Sequence, residues 1–145
     1  KFYYFNYDFF LNHLINLSNR CKLLLIKNSS NKLVSGAFFL VDPESKMVHY
    51  HLSASSEEAM KHQCNDFLIL NAIYKLGNDG YLKINLGGGL NFDETDGLSK
   101  FKKKFSDKKN IFYISKIISD QIKYSQTRDE FNLREKNYFL IGDAI

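Results

Sequence analysis

Between Ile84 and Phe105 the chain reads INLGGGLNFDETDGLSKFKKKF, three consecutive glycines after an apolar run and then lysines crowded around two phenylalanines. Two kinds of chemistry use such residues. Glycine N–H groups hold a phosphate when a helix starts directly behind them and no carboxylate intervenes. Here Asp93, Glu94 and Asp96 do intervene, and neither GxGxxG nor GxxxxGK[ST] is present. Gly87, Gly88 and Gly89 are therefore expected to end a strand in a splayed conformation that a ligand or another chain approaches closely, or to form a plain turn. A lysine can instead stabilise developing negative charge, provided it is held beside a cleft. Stepping about 100° per residue from Leu98 along a helix puts Lys102 beside Phe101 and Phe105, with Lys100, Lys103 and Lys104 on the far side. Lys102 is the candidate for fixed charge, and a snorkelling stem over Phe105 is the plainer use of the same geometry. The outer lysines, with Lys108 and Lys109, read as a solvated face or a surface for RNA phosphates.

Other candidates lie on neighbouring segments. His49 and His51 sit two apart on a strand and should share a face, opposite Val48, Tyr50 and Leu52. No third ligand stands at a recognisable spacing, so no metal site is expected. Either imidazole could line a cleft or act as a general base, and so could Asp93, Glu94 or Asp96, although Asp96 also suits a helix N-cap. Ser53, Ser55 and Ser56 offer hydroxyls to a ligand or serve as loop and cap residues. Cys21 and Cys64 fit no metal or disulfide spacing and read as core thiols.

The elements that must carry these residues alternate. Apolar spacing at three and four predicts a helix over Tyr7–Arg20. CKLLLIKN, KLVSGAFFLV and MVHYHLSA then read as strands parted by the turn segments SSN and DPES, which gives an antiparallel meander. NDFLILNAIYKLG should be a central buried helix capped by Asn65 or Asp66 and closed by Gly77. YLKINL is a short strand leading into the glycines. A helix from Gly97, a strand NIFYISKII and a polar helix over about 120–136 complete an α-β-β-β-α-β-α-β-α order. The closing run Tyr138–Ile141 is apolar and is expected to cover a surface, its own or a partner's.

LVSGAFFL, HYHLSAS, FLILNAIYKLG, INLGGG and DGLSKFKKKFS, in this order, resemble the second acyltransferase half of the FemAB-like branch of the GNAT superfamily, over roughly Tyr7 to Ile118. The most specific element is the glycine-ended strand followed by D-G-L-x-x-F-K-x-x-F, matched at Asp96, Gly97, Leu98, Phe101, Lys102 and Phe105. The resemblance implies an α/β (α+β) fold, a twisted mixed sheet with helices on both faces, and transfer of an acyl group to an amine. It implies that Lys102 stabilises the oxyanion and that Phe101 packs against the donor's end. His49, His51, Asp93 and Asp96 are then candidates for a base or cleft wall, and Ser53, Ser55, Gly87, Gly88 and Gly89 for donor contacts. The donor would be an acyl-CoA or an aminoacyl-tRNA, with no tightly bound cofactor. The acceptor would be an amine of a bacterial cell-envelope precursor of the peptidoglycan type. Where CoA-using relatives carry a glycine-bearing pyrophosphate loop, this chain has SASSEEAMKHQCND, without glycine. The alternative is a non-catalytic module that keeps the scaffold and binds tRNA or an envelope precursor.

Composition sets outer limits. A chain of 145 residues with 44% hydrophobic residues, 13 Phe and 9 Tyr is expected to fold as a single domain over 1–145, with a helical extension and tail at 119–145. A net charge of +4 is too mild to indicate a nucleic-acid binder by itself. No stretch suits a transmembrane helix or signal segment, and the cysteine usage suits a reducing cytoplasm. Because the first residue is Lys1 and the FemAB-like pattern has two halves, the chain is expected to be a piece, or the C-terminal half, of a larger protein. Its cleft would then be completed by a missing N-terminal domain or by a homodimer partner.

Overall fold

The structure, a computed structural model, describes residues 5–88, 96–110, 115 and 117–130. By its internal contacts the chain divides into two compact units, Lys1–Asp107 and Lys108–Ile145.

The first unit opens with helix α1 (Tyr7–Leu17), started by Asn6, whose side chain accepts the Phe9 N–H at 2.9 Å. A 3₁₀ turn, Ser18–Arg20, leads into β1 (Cys21–Lys27), β2 (Leu33–Asp42) and β3 (Met47–Ser55), an antiparallel meander as its alternation predicts. Both hairpin turns are built by side chains that replace backbone partners. Asn28 Oδ1 accepts Ser30 N–H at 3.1 Å and Lys32 N–H at 3.0 Å, and Asp42 Oδ1 accepts Glu44 N–H at 3.2 Å. Short α2 (Glu57–Lys61) and long α3 (Cys64–Asn78) then cross over to β4 (Lys83–Asn85), which pairs with β3 in parallel. Among the described residues the result is a four-stranded mixed sheet in the order β1-β2-β3-β4. Helix α4 (Gly97–Lys103) follows, capped by Asp96.

Phe38 and Phe39, neighbours on β2, point to opposite faces. Ala37, Phe39 and Val41 pack with Val48 and Tyr50 of β3 against Leu68, Ile69, Ala72 and Leu76, one stripe of α3, and Phe101 and Phe105 lean on the same core. On the other face the Phe38 ring stacks on Phe10 of α1 at 5.8 Å between centroids. Helices thus lie on both faces, the mixed α+β architecture expected.

Three local readings need correction. Helix α3 starts at Cys64 after Gln63 in the left-handed region (φ 52°), without a side-chain cap, because Asn65 spends its amide on the Tyr50 hydroxyl at 3.0 Å. The helix is not buried all round: it lies on one sheet face, so only one stripe meets the core, and Phe67 (60%) and Tyr74 (74%) stay open. On β3 the alternation breaks at a bulge: Phe39 is paired with Tyr50 but Phe38 with Leu52, which leaves His51 as the extra residue. Leu52 therefore falls on the side of His49 and His51 rather than opposite them, and all three line one cavity.

In the second unit α5 (Gln121–Glu130) is begun by Asp120, whose Oδ1 accepts the Lys123 N–H at 2.9 Å. The expected strand over 110–118 falls largely outside the described residues, as do the end of the polar helix and the apolar run Tyr138–Ile141.

Phe39 is fully buried at the centre of the sheet. Replacing it by Ala should cost about 3–5 kcal/mol, a large share of the roughly 5–15 kcal/mol that holds a domain together. The expected outcome is a correspondingly lower urea midpoint; a shift below about 1 kcal/mol would place the core elsewhere.

Candidate functional site

Parallel pairing between β3 and β4 lasts three residues, Met47–His49 against Lys83–Asn85, while β3 runs on to Ser55. At Asn85 the chain turns: its Oδ1 accepts the Gly87 N–H at 2.8 Å, and Gly87 takes φ +73°. The two strands part there, and a cavity of about 1100 Å³ opens beside the separation.

Lys102 enters this opening from α4. Asp96 fixes the helix start, with Oδ1 accepting Leu98 N–H at 2.8 Å and Ser99 N–H at 3.0 Å and Oδ2 accepting the Ser99 hydroxyl at 2.6 Å. Phe101 and Phe105 anchor the apolar side of α4, and Lys104 bridges to Asp66 of α3 at 2.7 Å. Half-buried Lys102 is left to turn inward, where Nζ donates to the Gly88 carbonyl. The approach is close: a Cβ on Gly87 would lie 3.3 Å from Lys102 Nζ and 4.0 Å from His49 Cε1. Gly87 is thus required twice, for its backbone conformation and for the space.

Three imidazoles continue the row. His49 and His51 lie 6.1 Å apart between ring centroids, and His13 of α1 stacks on His51 at 5.5 Å. His13 Nδ1 stands 2.8 Å from the Phe9 carbonyl, which can only accept, so Nδ1 carries the proton. Burial, then the Lys102 charge, holds His49 below its ordinary value of 6.5; burial, then His13 and His49, does the same to His51. Burial also lowers Lys102, and Asp96 partly opposes this. At neutral pH His49 and His51 are thus presented as neutral imidazoles beside an amine, groups suited to accept a proton and to stabilise negative charge.

Of the residues singled out from the sequence, Phe101, Lys102, His49, His51, Ser53, Ser55, Gly87 and Gly88 all line the one cavity. Ser53 accepts the Tyr50 hydroxyl at 2.5 Å, and Ser55 shares a hydrogen bond with Ser35 at 2.8 Å. Ser56 caps α2. Asp96 has both carboxylate oxygens engaged in starting α4. Gly89, Asp93 and Glu94 lie outside the described residues. Among the described residues no group of three His, Cys, Asp or Glu side chains is placed to hold a metal ion. Cys21 is buried and free, its thiol pushed up by burial. His13 went unnoticed in the sequence, where it reads only as part of an amphipathic helix; its separation from His51 hides the contact.

No family model matches the chain, and no curated protein matches it. Among solved structures the chain is similar to the protein titled "Putative acetyl transferase from Pyrococcus furiosus", with a TM-score of 0.54 and 14% identity over 79% of this chain and 80% of that one. At that identity the likeness shows a shared fold. Among the described residues no helix is long and apolar enough to cross a membrane.

The lowered imidazoles tie stability to pH. Between their folded values and 6.5 the unfolded chain binds more protons than the folded one, so stability falls as pH falls through that window. Thermal unfolding from pH 7.5 down to about 5 should show a falling Tm. His49→Gln with His51→Gln should flatten the slope; an unchanged slope would show that other groups carry it.

Proposed function

We propose that this chain is a FemAB-like acyltransferase that moves an acyl or aminoacyl group from a thioester or tRNA ester to an amine of a cell-envelope precursor. The observation that carries this reading is the position of Lys102 Nζ, held on the Gly88 carbonyl beside His49 where β3 and β4 part. The D-G-L-x-x-F-K-x-x-F pattern at Asp96–Phe105 and the fold shared with a protein titled an acetyl transferase support it.

In this mechanism the acceptor amine attacks the donor carbonyl, forming a C–N bond and placing negative charge on the carbonyl oxygen. Lys102 stabilises that oxyanion, exchanging the Gly88 carbonyl for the developing charge. His49, neutral and adjacent, takes the proton lost by the amine. Collapse of the intermediate breaks the C–S or C–O bond, and the thiol or ribose hydroxyl leaves with a proton. Phe101 packs against the donor's end. Beyond His49 no described strand pairs with the free edge of β3, so its backbone N–H and C=O groups are open to an extended, amide-bearing donor.

The start of α2 argues against a pyrophosphate seat at that point. Its first turn carries Glu57 and Glu58, which repel an anion where other helix ends attract one. The donor is therefore an acyl-CoA held in another way, or an aminoacyl-tRNA whose phosphates lie elsewhere.

Thiol release from acetyl-CoA and deacylation of charged tRNA, each with amino sugars and lysine-containing peptides as acceptors, test the reading. Lys102→Ala should lower the transfer rate about 10²–10³-fold while leaving donor affinity nearly unchanged. Normal transfer by that variant would remove Lys102 from the mechanism. Binding of a donor without transfer by the unaltered chain would favour the non-catalytic module.

A further inference from the structure

We propose that the cavity beside Lys102 takes the apolar chain of a long acyl group, which makes a fatty-acyl donor the substrate class of this site. The inference rests on the acyl-transfer reading and goes beyond it by naming what is transferred.

A two-carbon acyl group needs little of the space available. The cavity measures about 1100 Å³, at or above the upper end of the roughly 300–1,000 Å³ that buries drug-sized ligands. Its character changes along its length. Lys102, His49 and His51 supply its charged and titratable groups, Ser53, Ser55 and Asn65 add polar ones, and Phe10 of α1, Leu23 and Leu25 of β1 and Leu33 and Phe38 of β2 form an apolar wall. Among the described lining residues Lys102 is the sole lysine and no arginine occurs, so Leu23, Leu25, Leu33 and Phe38 stand away from any fixed positive charge that would hold phosphates. An alkyl chain with a carbonyl head matches this gradient: the head sits at the amine and imidazoles, and the tail runs over Leu23 and Leu25.

The β1 strand shows the same thing from the side of folding. Leu24 and Ile26 pack on the core, as alternation requires, yet the opposite face is not polar. Leu23 (37% exposed) and Leu25 (51%) line the cavity, with Leu33 (53%) at the start of β2. Helix α1 covers Phe38 through Phe10 but leaves these leucines open. The floor is Gly36, paired with Leu25; a Cβ there would meet Leu25 Cδ2 at 2.8 Å. Leu25 thus lies down over the glycine, and any larger residue at 36 would lift it into the cavity.

Isothermal titration with octanoate, decanoate and laurate, and with free CoA, acetyl-CoA and lauroyl-CoA, tests the proposal without requiring turnover. A fully enclosed chain tightens binding about fourfold per methylene, so affinity should rise by up to about fifteenfold for each two carbons added. Lauroyl-CoA should exceed acetyl-CoA by at least the same trend. Leu25→Gln, an exposed-side change, and Gly36→Val, which lifts Leu25, should each shrink the advantage of laurate over octanoate. Equal affinity across the fatty acids, failure of laurate to bind, or an undiminished advantage in both variants would overturn the groove. Chain-length-dependent binding with no transfer to any amine would leave the groove standing and overturn the acyl-transfer reading. Transfer from acetyl-CoA as efficient as from lauroyl-CoA, with flat affinities, would do the reverse.

Discussion

Three residue pairs of parallel sheet, Met47–His49 on β3 with Lys83–Asn85 on β4, hold the whole site in place. A parallel neighbour requires a crossover, and α2 and α3 supply it by laying Leu68, Ile69, Ala72 and Leu76 across Phe39 and Val48. The β2–β3 turn fastens the same end, since the Lys46 carbonyl accepts the Leu82 N–H at 2.9 Å. Pairing begins under these constraints and stops where Asn85 turns its own chain. Had β4 continued alongside β3 to Ser55, ladder hydrogen bonds would occupy the free edge and the strands would not part. The opening is therefore a product of where pairing ends.

The charges beside this opening are arranged at some cost. An amine and two imidazoles are drawn partly out of water, and each loses some affinity for its proton. Placing a carboxylate against His49 would relieve that cost and also raise its proton affinity, turning an acceptor into a cation at neutral pH. Among the described residues the acid acting on Lys102 is Asp96, and it is tied to the α4 N-terminus by hydrogen bonds to Leu98, Ser99 and the Ser99 hydroxyl. Capping the helix and favouring the ammonium form of Lys102 are thus done by one side chain, at a distance that leaves His49 neutral.

Much of this was legible from local pattern. The strands of the meander alternate, their turns carry Asn28 and Asp42, and the angular position of Lys102 beside Phe101 and Phe105 follows from helical spacing alone. What escaped depends on contacts distant in sequence. The bulge at His51 follows from strand registration, which no local signal fixes, and it altered the side assigned to Leu52. His13 meets His51 only because α1 folds over that face of the sheet. Asn65 looked like a cap because caps are its commonest short-range use, whereas Tyr50 claims its amide from across the chain. Helix α3 is apolar enough to be read as central, but a helix on one face of a single sheet can bury only one stripe.

The glycines show why residue type alone did not decide between a phosphate cradle and a strand end. A cradle presents N–H groups to an anion. Here the Gly87 N–H is consumed by Asn85, and at Gly88 a carbonyl faces Lys102 Nζ. A carbonyl repels an anion and attracts an ammonium. The same backbone that resembles an anion loop in sequence therefore acts at these two residues as a rest for a cation. A lysine held by a neutral carbonyl, with no carboxylate among the described residues in direct contact, gives up little when a stronger negative partner appears. Such an arrangement suits charge that develops transiently better than a permanent salt bridge would, because the ion pair would have to be broken first.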